Sequence, residues 1–121
     1  MNAQKLFDLS GKVALITGGS RGLGLQIAHG FGSMGARLAL TARKADELET
    51  ARKELAASGY DVFVFPSDLS KADTIAPMVD AVLARYGKVD ILINNAGASW
   101  GAPAEEYPLD AWNKVLGTNL T

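Results

Sequence analysis

Eight residues near the N-terminus, Thr17-Gly18-Gly19-Ser20-Arg21-Gly22-Leu23-Gly24, carry the densest chemical pattern in the chain. Gly18, Gly22 and Gly24 stand at G-x-x-x-G-x-G spacing. Glycines at such intervals permit a tight turn, let bare backbone approach a pyrophosphate, and allow a helix to pack closely on a strand. A helix opening there offers free N–H groups and a positive dipole end to an anion. Alone, the pattern also suits a glycine-rich turn without a ligand. Its position between an apolar run and a segment of helical period is the context a nucleotide loop requires.

A second group of residues bears on which dinucleotide is held. Units that bind NAD place an Asp or Glu at the end of the second strand, roughly 20 residues past the glycines, against the ribose 2′-hydroxyl. Here that stretch reads Leu40-Thr41-Ala42-Arg43-Lys44, and no carboxylate follows until Asp46, already inside a helix pattern. A carboxylate at Ala42 would repel a 2′-phosphate, whereas Arg43 can pair with one bidentately. Arg21 is a second cation within reach. The expected cofactor is therefore NADP, with NAD second. The plainer alternative makes Arg43 and Lys44 a solvated helix start and Arg21 an exposed surface residue.

These groups need elements to position them, and the chain alternates short apolar runs with segments of helical period, as βαβ units do. Lys12–Thr17 is apolar through its middle, the mark of a strand covered on both faces. Leu23, Ile27 and Phe31 then fall at helical spacing, and Gly35 is placed to end that helix. Arg37–Thr41 is the next strand, Ala45–Ala57 a helix with Leu48, Ala51 and Leu55 on one face, and Gly59 its stop. Asp61–Phe65 is the third strand, ended by Pro66. Ser70 and Asp73 have the spacing of a capping box, behind which Ile75, Val79, Val82 and Leu83 form an apolar stripe closed by Gly87. Val89–Ile93 is the fourth strand, running into Asn94-Asn95-Ala96-Gly97, and Trp112, Val115 and Leu116 predict one more helix.

Right-handed crossovers turn this order into an α/β fold, a Rossmann-type doubly wound parallel sheet in the order 3-2-1-4 within three αβα layers. Ligands of such sheets sit outside the carboxyl ends of the strands, at the crevice where the strand order reverses. Those ends carry Thr17-Gly18-Gly19, Thr41-Ala42-Arg43, Pro66-Ser67-Asp68 and Asn94 to Gly97.

Composition narrows the class. With 121 residues, 48% hydrophobic and 21% charged, the chain predicts one globular domain, residues 1–121, with a real core. A net charge of -1 with both signs interspersed argues against a nucleic-acid partner. The absence of cysteine excludes disulfides and thiolate metal sites and fits a reducing cytoplasm. The apolar runs fall short of the roughly 18 to 20 residues that span a bilayer, so no membrane partner is expected. No metal site is expected, and His29, among Ile27 and Phe31, reads as an ordinary helix residue.

The glycine loop, Asp68, Asn94-Asn95-Ala96-Gly97 and Asn119, in this order and at these spacings, resemble the short-chain dehydrogenase/reductase family over essentially the whole chain. Within it the sequence is most similar to bacterial 3-oxoacyl reductases and gluconate 5-dehydrogenase-like, sugar-acid members. The resemblance implies an NADP(H)-dependent oxidoreductase that moves a hydride between nicotinamide and a small carbonyl or alcohol substrate, usually as a homo-oligomer. It implies further that Gly18, Ser20, Arg21, Gly22, Leu23 and Gly24 hold the cofactor together with Arg43. Asp68 would bond the adenine amino group, with Leu69 near the ring. Asn95, Ala96 and Gly97 would line the adenosine and ribose region, and Asn119 would be the catalytic Asn that holds a water in a proton relay. Without the family, Asn119 reads as an exposed polar helix residue.

The family also uses a Tyr as general acid/base, a Lys four residues later that lowers its pKa, and a Ser against the substrate oxygen. Four residues after Tyr60, Tyr86 and Tyr107 stand Val64, Asp90 and Ala111, so that pair is absent here. The chain is expected to be a truncated family member, carrying the cofactor-binding half and ending before the catalytic Ser, Tyr and Lys. Were it the whole molecule, the apolar edge Ile91-Leu92-Ile93 would recruit other chains. A non-catalytic dinucleotide-binding module or redox sensor, and a nucleotide-dependent methyltransferase, are the competing readings; Asn94–Gly97 counts against the last. Trp100, in the loop after the fourth strand, could wall a substrate or simply pack on neighbouring helices.

Overall fold

The computed structural model describes residues 8–95, a four-stranded parallel sheet with helices on both faces. Along the chain run β1 (Val13–Thr17), α1 (Gly22–Ser33), β2 (Arg37–Ala42), α2 (Ala45–Ala57), β3 (Val62–Pro66), α3 (Ile75–Tyr86) and β4 (Ile91–Asn94). A short 3₁₀ turn, Ala72–Thr74, leads into α3. The strand order is β3-β2-β1-β4, as the right-handed crossover rule predicts. Leu15 pairs with Ala39 on one side and Leu92 on the other, so every residue of β1 is buried.

Because side chains alternate across a strand, the sheet divides the core in two. Ala14, Ile16, Leu38 and Leu40 face Ala28 of α1 and Leu48, Ala51 and Leu55 of α2. Val13, Leu15 and Ala39 face Ile75, Met78, Val79, Val82 and Tyr86 of α3. The α3 stripe is wider than its aliphatic spacing predicts, since Met78 and Tyr86 join it and Leu83 packs at its border.

The first helix corrects the expected face. Its fully buried stripe is Gly24, Ala28 and Gly32, while Leu23 is 63% exposed and Ile27 and Phe31 are only partly buried. Small residues at i, i+4 and i+8 let the helix axis approach its neighbours closely, which pushes the larger side chains to the flanks. At Gly32 a Cβ would stand 2.5 Å from the Tyr60 ring, so the ring takes the space a side chain would fill.

The expected capping box at Ser70 and Asp73 is not formed. The Ser70 hydroxyl donates instead to Asp68 Oδ1 at 2.6 Å, and the Ser70 N–H donates to the same oxygen at 3.0 Å. Asp68 is the nearer acceptor, two residues upstream, and it closes a local turn before the helix can begin. The helix therefore starts at Ile75.

At the amino ends of the strands, the Tyr86 hydroxyl donates to Asp61 Oδ1 at 2.8 Å. Burial, reinforced by that carboxylate, raises the phenol well above its ordinary pKa. Arg85 lies 3.6 Å from Asp61 and 5.2 Å from the centre of the Tyr86 ring. This cluster ties α3 to β2 and β3 at the end of the sheet remote from the glycine loop. No helix among the described residues is long and apolar enough to cross a membrane. The helix expected around Trp112, Val115 and Leu116 lies outside the described residues.

Candidate functional site

At the carboxyl ends of the strands an open cleft of about 340 Å³ runs along the glycine loop, the end of β2 and the segment after β3. Its first wall is the loop itself. The Gly18 N–H donates to the Thr41 carbonyl at 2.8 Å, which pins the loop to β2. Gly22 has φ +58, a left-handed conformation that side chains other than Gly seldom adopt, and the chain turns there into α1. The residue preceding α1, Arg21, makes no side-chain cap, so its side chain leaves the first-turn N–H groups to other acceptors.

The loop is also fastened to β4. The Asn95 N–H donates to Thr17 Oγ1 at 2.9 Å, the Thr17 hydroxyl lies 3.0 Å from Asn94 Oδ1, and Asn95 Nδ2 donates to the Gly18 carbonyl at 3.3 Å. Beneath this network lies Gly24. A Cβ there would come within 2.1 Å of the Gly18 oxygen, a contact no side chain can make. The third glycine thus serves helix-to-loop contact rather than the cleft surface.

The second wall gathers the charges. Arg21, Arg43 and Lys44 line the cleft, and so does Glu47. Arg21 Nη1 lies 3.6 Å from Glu47 Oε1, with the Arg21 side chain 80% exposed and Glu47 31%. Glu47, one residue past Asp46, was not among the residues expected at the site. The available signal was helical: Glu47 sits three residues beyond Lys44, which precedes α2, so it returns over the first turn toward the strand end.

The third wall is Asp68 and Leu69. The Ser70 hydroxyl and N–H, with Lys71 and Arg43 adding charge, hold the Asp68 carboxyl below the usual aspartate range. Its Oδ2 takes no hydrogen bond among the described residues, so an ionised acceptor remains for an amino group. Leu69 is 6% exposed and supplies the apolar part of that wall. Thr41, fully buried between the walls, has a hydroxyl with no hydrogen-bond partner among the described residues.

Of the residues expected at the site, the structure brings Gly18, Ser20, Arg21, Gly22, Arg43, Asp68, Leu69 and Asn95 to one cleft. Leu23 stands exposed on the first turn of α1, outside the lining, and Gly24 acts from below. Ala96, Gly97, Trp100 and Asn119 lie outside the described residues. His29 is not among the residues lining the cleft: its Nε2 meets Glu54 at 2.5 Å and its ring stacks edge-on against Tyr60.

A dinucleotide fits this donor set. Bare glycine backbone and an uncapped helix start suit a pyrophosphate, cations at the end of β2 suit a further phosphate, and Asp68 with Leu69 suits a purine. Among the described residues, the titratable groups lining the cleft are three cations and two carboxylates. These groups can bind and orient an anionic ligand.

Comparison with known proteins agrees with the geometry. The sequence model of the family described as short chain dehydrogenase matches residues 12–121. Over 115 residues the chain is 43% identical to the rhamnolipids biosynthesis 3-oxoacyl-[acyl-carrier-protein] reductase of Pseudomonas aeruginosa, covering 95% of this chain and 44% of that protein. It is 38% identical to the gluconate 5-dehydrogenase of Gluconobacter oxydans, over 99% of this chain and 47% of that one. Among solved structures, a metagenomic short-chain oxidoreductase in complex with NADP superimposes with a TM-score of 0.80 at 33% identity, covering 93% of this chain and 57% of that one. The chain spans about half the length of the curated relatives it matches. With a family match running from the start of β1 to Thr121 and a glycine loop folded as the spacing demands, this chain belongs to the short-chain dehydrogenase family.

Proposed function

We propose that this chain is the NADP-binding domain, residues 1–121, of an oxidoreductase that interconverts a small carbonyl compound and its alcohol. The observation that carries the reading is the convergence of Arg21 and Arg43 on one cleft beside a bare glycine loop, with Ala42 where an NAD site would carry its carboxylate. The relative of known structure that binds NADP supports the cofactor, and the 3-oxoacyl and gluconate relatives support a carbonyl or alcohol substrate.

In this reading the bound dinucleotide supplies or accepts the hydride. The chain's own residues do the holding. The loop from Gly18 to Gly24 and the first turn of α1, with Ser20 and Leu23, bind the pyrophosphate and adjoining ribose. Asp68 accepts from the adenine amino group, Leu69 packs on the ring, and Asn95 with Ala96 and Gly97 borders the ribose. Asn119 holds the water of a proton relay. A homo-oligomer in a reducing cytosol belongs to the same reading. The test is isothermal titration of the purified chain with NADPH and separately with NADH. NADPH binding tighter by about tenfold or more supports it, since a paired phosphate charge is worth on the order of 1.5 to 3 kcal/mol. Equal affinities would refute the NADP preference, and binding of neither would refute the site.

A further inference from the structure

Among the described residues, Glu47 is the carboxylate that lines the cleft beside Arg21, Arg43 and Lys44. It occupies the third helical position of α2, from which a Glu commonly reaches back to the N–H of the preceding cap residue. That residue is Lys44, which makes no side-chain cap, and the Glu47 carboxylate pairs with Arg21 at 3.6 Å instead. The pair joins the starts of two helices across the corner where the cofactor's 2′ position would lie.

Resting on the dinucleotide reading above, we infer that Glu47 sets how strongly this cleft prefers a 2′-phosphate to a 2′-hydroxyl. Arg21 is 80% exposed on a long side chain, so its pair with Glu47 is weakly held and easily exchanged. A 2′-phosphate takes Arg21 from Glu47 and then sits beside an unpaired carboxylate of like charge. A 2′-hydroxyl brings no charge, leaves the pair intact, and can itself donate to a carboxylate oxygen. Glu47 therefore opposes NADP selectively and narrows its margin over NAD. Arg21 and Arg43 supply the preference, and Glu47 trims it.

The experiment is titration of wild type and Glu47→Gln with NADPH and NADH, at low salt and again at about 1 M salt, where charges are screened within ~3 Å. Glu47→Gln should tighten NADPH roughly threefold to tenfold at low salt, as expected for removing one like charge near the surface, and the gain should shrink at high salt. NADH should move by less than about twofold or weaken, because one exposed hydrogen bond is at stake. Glu47→Ala should give the same gain, since the charge is what matters. An NADPH affinity that is unchanged or weakened in Glu47→Gln overturns the inference and makes Glu47 a support that holds Arg21 in place. Failure of the underlying reading looks different: wild type itself then binds neither nucleotide, or both equally.

Discussion

Asn95 Nδ2 donates to the Gly18 carbonyl at 3.3 Å, so the end of β4 grips the first residue of the glycine loop. Gly24 lies against both groups, and a Cβ on it would meet the Gly18 oxygen at 2.1 Å and Asn95 Nδ2 at 2.8 Å. Gly24→Ala must therefore displace the loop from α1 or break the Asn95 bond. We expect a loss of about 1 to 3 kcal/mol in stability from this overpacking. NADPH affinity should fall by at least about tenfold through the displaced phosphate donors. A melt and a titration check it, and wild-type binding in Gly24→Ala would refute the close-contact role.

Arg43 is the test of the 2′ corner. Arg43→Ala should weaken NADPH by roughly 10- to 100-fold, the value of a charge-assisted bidentate pair, and leave NADH within about twofold. The diagnostic result is the split between cofactors. Equal losses for both would assign Arg43 to the adenine or the pyrophosphate instead.

Asp68 should give the opposite signature. Its carboxyl, held below the usual range first by the Ser70 hydroxyl, is ionised at neutral pH and can accept from the adenine amino group that both cofactors share. Asp68→Ala should weaken NADPH and NADH alike, by about threefold to tenfold for one lost hydrogen bond. A selective loss of NADPH in titration would contradict the adenine role.

Thr41 yields a stability prediction. Its hydroxyl is buried without a partner among the described residues, a state that costs about 1 to 3 kcal/mol. Thr41→Val keeps the shape and removes that cost, so it should raise the melting temperature by several degrees, at roughly 3 to 6 °C per kcal/mol for a chain between the small and mid-size domain ranges. A lower melting temperature would mean that the hydroxyl is bonded in solution.

Asp90 governs an acid limb. Burial raises its carboxyl, but the Val13 N–H at 2.8 Å and the Lys88 ammonium at 3.1 Å outweigh burial and hold it below the ordinary aspartate range. A carboxyl depressed in the folded state stabilises above its unfolded pKa and loses that contribution as pH falls through the folded value. Asp90→Ala should cost about 1.5 to 3 kcal/mol near neutral pH, the worth of a charge-assisted hydrogen bond. The gap from wild type should close below about pH 3.8. Denaturation at pH 7 and pH 3 measures it, and a gap of constant size would refute the assignment.

Much of this protein was legible from local pattern. Apolar runs marked β1 as a strand covered on both faces and β2 as the next strand, and helical spacing marked α2 to the residue. Handedness then ordered the strands, since a parallel crossover has one favourable hand. The glycine spacing and the cations at Arg21 and Arg43 were readable because they lie within a few residues of a strand end. The tertiary structure decided what depends on approach through space. It buried Gly24, Ala28 and Gly32 and exposed Leu23, because close packing selects for size and not for hydrophobicity alone. It turned the Ser70 N–H to Asp68 rather than to Asp73, because two nearby carboxylates compete for one donor. It brought Glu47 to Arg21 from 26 residues away, because a helix starting at a strand end returns its first turn over that end. Periodicity records which way a side chain leans along its own element; which charges then meet across a cleft is set by how closely the elements pack.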